Sequence, residues 1–164
     1  MVQVRIGVPA DHGAALAVWA ASTSAGASNV PASTAQAELA KAYLRQPDAF
    51  LVVAEDSEEI VGMTVGMQAL EDDGKGPPMP GLAHFAMVFV GPGRWGEGIG
   101  RCLVKRLVRE AHERGYRGAQ LWTAPDNLRA QKLYEGLGFR QSGRAATNEF
   151  GAPIVHYQLR DLRS

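Results

Sequence analysis

The stretch Leu82-Ala83-His84-Phe85-Ala86-Met87-Val88-Phe89-Val90 runs straight into Gly91-Pro92-Gly93-Arg94-Trp95-Gly96-Glu97-Gly98-Ile99-Gly100-Arg101. The first half is an apolar run of strand length and reads as a strand buried on both faces. Beyond the glycines, to about Arg114, the apolar residues recur every three or four positions. Ile99, Leu103, Val104, Leu107, Val108 and Ala111 make one stripe. Arg101, Lys105, Arg106, Arg109 and Glu113 lie on the opposite face, and Gly115 is placed to end the helix. The first N–H groups of a helix lack partners inside it, and the helix dipole adds positive charge there. Glycines leave room for a phosphate to reach the backbone. Trp95, Gly96, Glu97, Gly98, Ile99, Gly100 and Arg101 are therefore expected to cradle an anion, a pyrophosphate, with Arg94 and Arg101 adding charge. On these residues alone, glycines that only satisfy turn geometry remain an alternative.

Gly91, Gly93 and Gly96 also satisfy G-x-G-x-x-G, the dinucleotide fingerprint. That fingerprint belongs between a first strand and a first helix, with an acid about 20 residues on. Here several elements precede it, and Tyr116 and Arg117 occupy the downstream region. A nicotinamide site is disfavoured.

Upstream, Val2, Val4, Ile6 and Val8 alternate as a strand ended by Pro9. Asp11 is placed to cap a helix to about Ala21. Ser22–Ser33 reads as a loop, and Thr34–Arg45 as a helix stopped by Pro47. Phe50–Ala54 and Ile60–Leu70 form a hairpin about Asp56–Glu59. Glu71–Pro80, with acids, glycines and prolines, is expected to be an exposed loop. Downstream come a strand at Ala119–Thr123, a helix at Leu128–Leu137 closed by Gly138, and strands near Phe139–Arg144 and Ile154–Arg160. The order is β-α-α-β-β-β-α-β-α-β-β, an α/β chain with a mixed sheet and helices on its faces.

The length, 164 residues, fits a single domain over 1–164. Lys+Arg and Asp+Glu balance at 17 each, which argues against a nucleic-acid partner held by phosphate neutralisation. The one cysteine, Cys102, permits no intrachain disulfide and no thiolate zinc site, so a cytoplasmic setting is expected; it reads as a packing residue. No signal-peptide pattern opens the sequence, and the longest apolar run, Phe85–Val90, is too short to span a bilayer. Neither membrane insertion nor a metal site is expected.

With both motifs in view, the chain resembles the GNAT superfamily of acetyl-CoA-dependent N-acetyltransferases. Trp95-Gly96-Glu97-Gly98-Ile99-Gly100 is similar to its Q/R-x-x-G-x-G/A cofactor motif, with Trp95 departing from Gln or Arg. Asn127-Leu128-Arg129-Ala130-Gln131-Lys132-Leu133-Tyr134-Glu135-Gly136-Leu137-Gly138-Phe139 is similar to N-x-x-A-x-x-L-Y-E-x-x-G-F. The resemblance implies a mostly antiparallel twisted sheet of six or seven strands flanked by about four helices, splayed between the strands at 82–90 and 119–123. It implies acetyl-CoA as co-substrate, its pantetheine arm paired with the main chain of Val88, Phe89 and Val90, and Asn127 near the cofactor or fixing its turn as a cap. It implies direct transfer to a primary amine of a small molecule or peptide, and permits a homodimer.

Three tasks follow. The amine must lose a proton, the tetrahedral oxyanion needs a donor such as the Val88 N–H, and the leaving thiolate needs a proton or hydrogen bonds. The resemblance assigns the last to Tyr134. His84 is a candidate base, with a hydrogen-bonded core histidine or a substrate contact as alternatives. A water relay, Glu71, Asp72 and Asp73 are the others. Trp122 and Thr123 occupy another family position for a base and supply none. His156 and Tyr157 lie on the last strand, where one of them is expected to face the acceptor pocket. The rival reading is a non-catalytic acyl-CoA sensor.

Overall fold

The computed structural model describes residues 1–25 and 33–163, the side chain of Asp73 excepted. The chain runs β1 (Val2–Ile6), α1 (His12–Ser24), α2 (Thr34–Arg45), β2 (Phe50–Asp56), β3 (Glu59–Leu70), α3 (Glu71–Gly74), β4 (Pro78–Val90), α4 (Ile99–Glu113), β5 (Gly118–Thr123), α5 (Leu128–Gly136), β6 (Arg140–Thr147) and β7 (Pro153–Leu159). The strands form one seven-stranded sheet in the order β1-β2-β3-β4-β5-β7-β6. This is the expected element order, with α3 added as a single turn. β4 and β5 are parallel; β1–β2, β2–β3, β5–β7 and β6–β7 are antiparallel.

The chain divides into two compact units. One comprises Met1–Met67 and Ala86–Leu107, the other Gln68–Phe85 and Val108–Ser164. In the first unit, β1 lies on β2 from Val2 opposite Asp56 to Ile6 opposite Val52. The β2–β3 hairpin turns at Ser57 and Glu58, both at positive φ, the geometry of a two-residue hairpin turn. Its core is α1 and α2 against the sheet: Ala15, Val18, Trp19, Ala40 and Leu44 meet Leu51, Val53, Met63, Val65, Met67 and Met87. The stripe of α4 is buried as its spacing predicts, with Ile99, Leu103, Val104 and Leu107 almost inaccessible.

Asp11 precedes α1 but does not cap it with its side chain. Its carboxylate takes two bonds from Arg5, at 2.9 and 3.0 Å, and one from the Val8 N–H at 2.8 Å, so it ties β1 to the turn instead. α1 continues past the expected stop at Ala21 to Ser24, because the Ser22 hydroxyl finds a partner in the Val90 carbonyl at 2.5 Å. The rest of the expected loop, 26–32, lies outside the described residues. α2 has the expected bounds, fixed by a reciprocal cap between Ser33 and Gln36.

In the second unit, Leu82, Ala83 and His84 of β4 pair with Gly118, Ala119 and Gln120 of β5. β5 pairs with β7 from Ala119 opposite Leu159 to Thr123 opposite Val155. The segment Glu71–Pro80 is not the open loop its composition predicts. Glu71–Gly74 is a helical turn and β4 already begins at Pro78. Pro78 and Pro80 are exposed at the start of the strand, where a missing donor is tolerated, and the Gln68 amide donates to the Met79 carbonyl at 2.8 Å. β6 extends three residues beyond its expected end, with a register shift between Gln141 and Ala145 that takes up Gly143.

Candidate functional site

In the first unit, β4 ends at Val90, the chain makes a short 3-10 turn at Pro92–Arg94, and α4 begins at Ile99. Gly96 and Gly98 stand at φ +86° and +81°, the left-handed region, and a Cβ built on either meets nothing within 4 Å. The space before both is open. Cys102 N donates back to the Gly98 carbonyl, the first helical bond. Among the described residues, no hydrogen bond occupies the main-chain amides from Gly96 to Arg101. Gly62 lets α4 lie close: a Cβ there would stand 3.0 Å from Leu103, 3.2 Å from Ile99 and 3.3 Å from the Phe89 carbonyl.

The side chains of the turn behave differently from expectation. Arg94 is engaged by Asp56 at 2.9 Å and by Glu97 at 3.1 Å, which hold its guanidinium more firmly protonated. It braces the turn against the β2–β3 hairpin rather than adding free charge to the cradle. Trp95, 41% exposed, turns its indole N–H to the Val90 carbonyl at 2.7 Å. That carbonyl also accepts from Ser22, so both its lone pairs are used within the protein. Of Val88, Phe89 and Val90, Val90 thus offers a ligand no free carbonyl. Cys102 is exposed on α4, not packed; the apolar stripe passes it by.

In the second unit, Asn127 caps α5, its side chain accepting from the Ala130 N–H at 3.2 Å. The Gln131 amide braces the same turn through the carbonyls of Ala124 and Pro125. Tyr134, on α5, is 7% exposed, its ring packed on Phe139 and Tyr157 at centroid distances of 6.0 and 6.1 Å. Burial pushes its hydroxyl up to about 12. Tyr157 is fully engaged, donating to Glu135 and accepting from Gln141, each at 3.0 Å.

His84 meets a network that its own neighbourhood in the sequence does not announce. Its Nδ1 faces the Gln120 amide nitrogen at 3.5 Å. Gln120 Oε1 lies 2.9 Å from His156 Nε2, and His156 Nδ1 lies 2.7 Å from Ser142 Oγ. Trp122 packs on the His156 ring at 4.8 Å, and Arg144 lies over Trp122 at 5.2 Å. Burial, then the neighbouring His156, pulls His84 down to about 4; burial, then Arg144, lowers His156. Both are neutral at pH 7. Tyr134 Oη and His84 Nε2 have no hydrogen-bond partner among the described residues, where no buried side-chain nitrogen or oxygen is left unpaired. Both atoms therefore remain open to an incoming group. Glu71 and Asp72 are exposed on α3.

Sequence reading missed Gln120, Ser142 and Ser22. A glutamine inside the apolar strand Ala119–Thr123 is the one signal that marked the network. Among the described residues, no three histidines, cysteines or acids are grouped to hold a metal, and no helix is long and apolar enough to cross a membrane.

Residues 16–139 match the acetyltransferase (GNAT) family. The chain belongs to that family. N-acetyltransferase 8B of Rattus norvegicus is 32% identical over 111 residues, which cover 68% of this chain and 48% of that protein. The chain spans about half the length of the curated GNAT relatives it matches over that region. An acetyltransferase of Salmonella typhimurium, solved with its cofactor acetyl-CoA, superposes with a TM-score of 0.74 at 20% identity, covering 100% of this chain and 95% of its own. The ribosomal-protein-S18-alanine N-acetyltransferase of Escherichia coli gives 0.72 at 20%, covering 97% and 93%. At these identities the shared property is the GNAT fold.

Proposed function

We propose that the chain is an acetyl-CoA-dependent N-acetyltransferase that moves an acetyl group directly from the CoA thioester to a primary amine of a small molecule or a peptide. The observation that carries this is the row of unoccupied amides from Gly96 to Arg101, behind open space at Gly96 and Gly98, at the N-terminus of a 15-residue helix in a GNAT chain. A diphosphate satisfies those amides and gains from the helix dipole. The main chain of Val88 and Phe89 and the N–H of Val90 suit the pantetheine arm, and Asn127 sets the turn before α5. Bound there, acetyl-CoA supplies an activated acetyl thioester. β3, β4 and α4 each run unbroken through both units, which favours one catalytic domain over 1–164.

Tyr134 serves the departing thiolate. Its hydroxyl is held at about 12, while a free thiol loses its proton near ~8.5, so the proton stays largely on the tyrosine. The contribution is a hydrogen bond that strengthens as charge develops on sulfur. His84, at about 4, holds a proton far less well than an alkylammonium at roughly 10.4, which makes it a poor base for that amine. The amine that attacks is then drawn from the small fraction already neutral in solution. The exposed Glu71 and Asp72 fit a cationic amine approaching from solvent. A reducing, cytoplasmic setting suits an exposed, unpaired Cys102, and one copy of the chain supplies every group named.

Titration with acetyl-CoA, followed by thiol release across a panel of amines, tests the reading. Binding with turnover on at least one amine supports it. Binding with none identifies the acyl-CoA sensor instead, and failure to bind overturns both.

A further inference from the structure

The network behind His84 has a direction. The Arg144 main-chain N–H donates to Ser142 Oγ at 3.2 Å, and a backbone amide can only donate. Ser142 Oγ keeps a second lone pair, and turning its hydroxyl proton to His156 Nδ1, 2.7 Å away, is the arrangement that leaves no donor unused. His156 then carries its proton on Nε2 and donates to Gln120 Oε1 at 2.9 Å. That contact fixes the amide, so its NH2 group faces His84 Nδ1, at 3.5 Å the loosest link. Every donor from Arg144 to Gln120 meets an acceptor in this sense. Reversing it sets the His156 Nδ1–H and the Arg144 N–H on the same serine oxygen and leaves the hydroxyl proton unused.

Building on the acetyltransferase reading, we propose that Ser142, His156 and Gln120 are positioning residues that hold His84 neutral with its proton on Nε2, so that His84 joins the reaction as a hydrogen-bond donor to an oxygen bearing or gaining negative charge, not as the base. The lone pair a base requires is on Nδ1 and is already directed at Gln120. Burial keeps the ring from gaining a second proton at pH 7. The open Nε2 then presents an N–H. No covalent or proton-transfer step is assigned to His84; it stabilises charge and returns unchanged.

The test is a long-range 1H–15N spectrum of the histidine-labelled full chain at pH 7, with His84 assigned by His84→Asn. The expected result is a protonated Nε2 and an unprotonated Nδ1 at both His84 and His156. A protonated Nδ1 at His84, or an imidazolium, overturns the proposal, and this measurement needs no activity. Gln120→Glu replaces the donating NH2 with an oxygen that only accepts, so His84 should move its proton to Nδ1 or become charged. Turnover should fall roughly tenfold or more at unchanged acetyl-CoA affinity; a folded Gln120→Glu protein with wild-type turnover overturns the catalytic role. Ser142→Ala, a smaller change, should mix the two tautomers at His156. If the wild type shows the Nε2–H spectrum yet acetylates no amine, it is the acetyltransferase reading that fails.

Discussion

The Trp95 indole donates to the Val90 carbonyl at 2.7 Å, joining the turn that leads into α4 to the last residue of β4. Where the family motif carries Gln or Arg, this chain spends the side chain on its own backbone, and Ser22 reinforces the same carbonyl from α1. Trp95→Phe keeps the ring and removes the donor. The lost bond is worth about 1 kcal/mol, so acetyl-CoA affinity should fall roughly fivefold with a lower melting temperature. Unchanged calorimetric affinity and melting would show that this bond does not hold the turn.

Gly98 is the stricter test of the cradle. Its φ of +81° is one that a branched residue adopts at a cost of about 1–3 kcal/mol, and the side chain would enter the open space before the amides. Gly98→Val should weaken acetyl-CoA binding by at least about tenfold. Gly93→Ala, also facing open space but outside the positive-φ region, should leave affinity near wild type. Equal affinity in all three proteins would reject the cradle.

The parts legible in the sequence were those set by local pattern. The Ile99–Ala111 stripe, the Thr34–Arg45 helix and the Asn127 cap each rest on residues a few positions apart, and each is found where the spacing predicts. The misreadings turn on contacts or backbone settings outside the element in which the residue was read. α1 outlasts Ala21 because of a carbonyl 68 residues away, and Asp11 leaves its helix for an arginine on β1. Pro78 and Pro80 read as loop residues, yet the start of a strand accepts them. His84 was legible as a candidate, but its state depends on Gln120, 36 residues on, and on His156, a further 36. No short-range spacing encodes which nitrogen carries the proton.

Tyr134→Phe should separate catalysis from binding. The ring stays packed between Phe139 and Tyr157, so folding and acetyl-CoA affinity should hold. Turnover should fall about 10²-fold if the hydroxyl bonds the departing thiolate. With the hydroxyl at about 12, Tyr134 stays protonated through pH 10, so its ionisation should cause no fall in the wild-type rate below that value. A phenylalanine variant at full turnover would remove Tyr134 from the mechanism.

His84 leaves a second mark, on stability. Its basicity in the folded chain is pulled down to about 4, first by burial and then by His156, whereas a histidine in the unfolded chain titrates near ~6.5. Between those values the unfolded chain binds a proton that the folded chain refuses, so acid favours unfolding. The contribution is complete above about 6.5 and is lost as pH falls toward 4. His156 is lowered as well, by burial and then Arg144, and acts in the same sense. His84→Asn removes one of these two groups while leaving Gln120 a polar neighbour. Its melting temperature should therefore fall less steeply than the wild type's as pH drops through that window. Parallel slopes would mean that His84 is not held neutral by its surroundings, and the donor role would lose its physical basis.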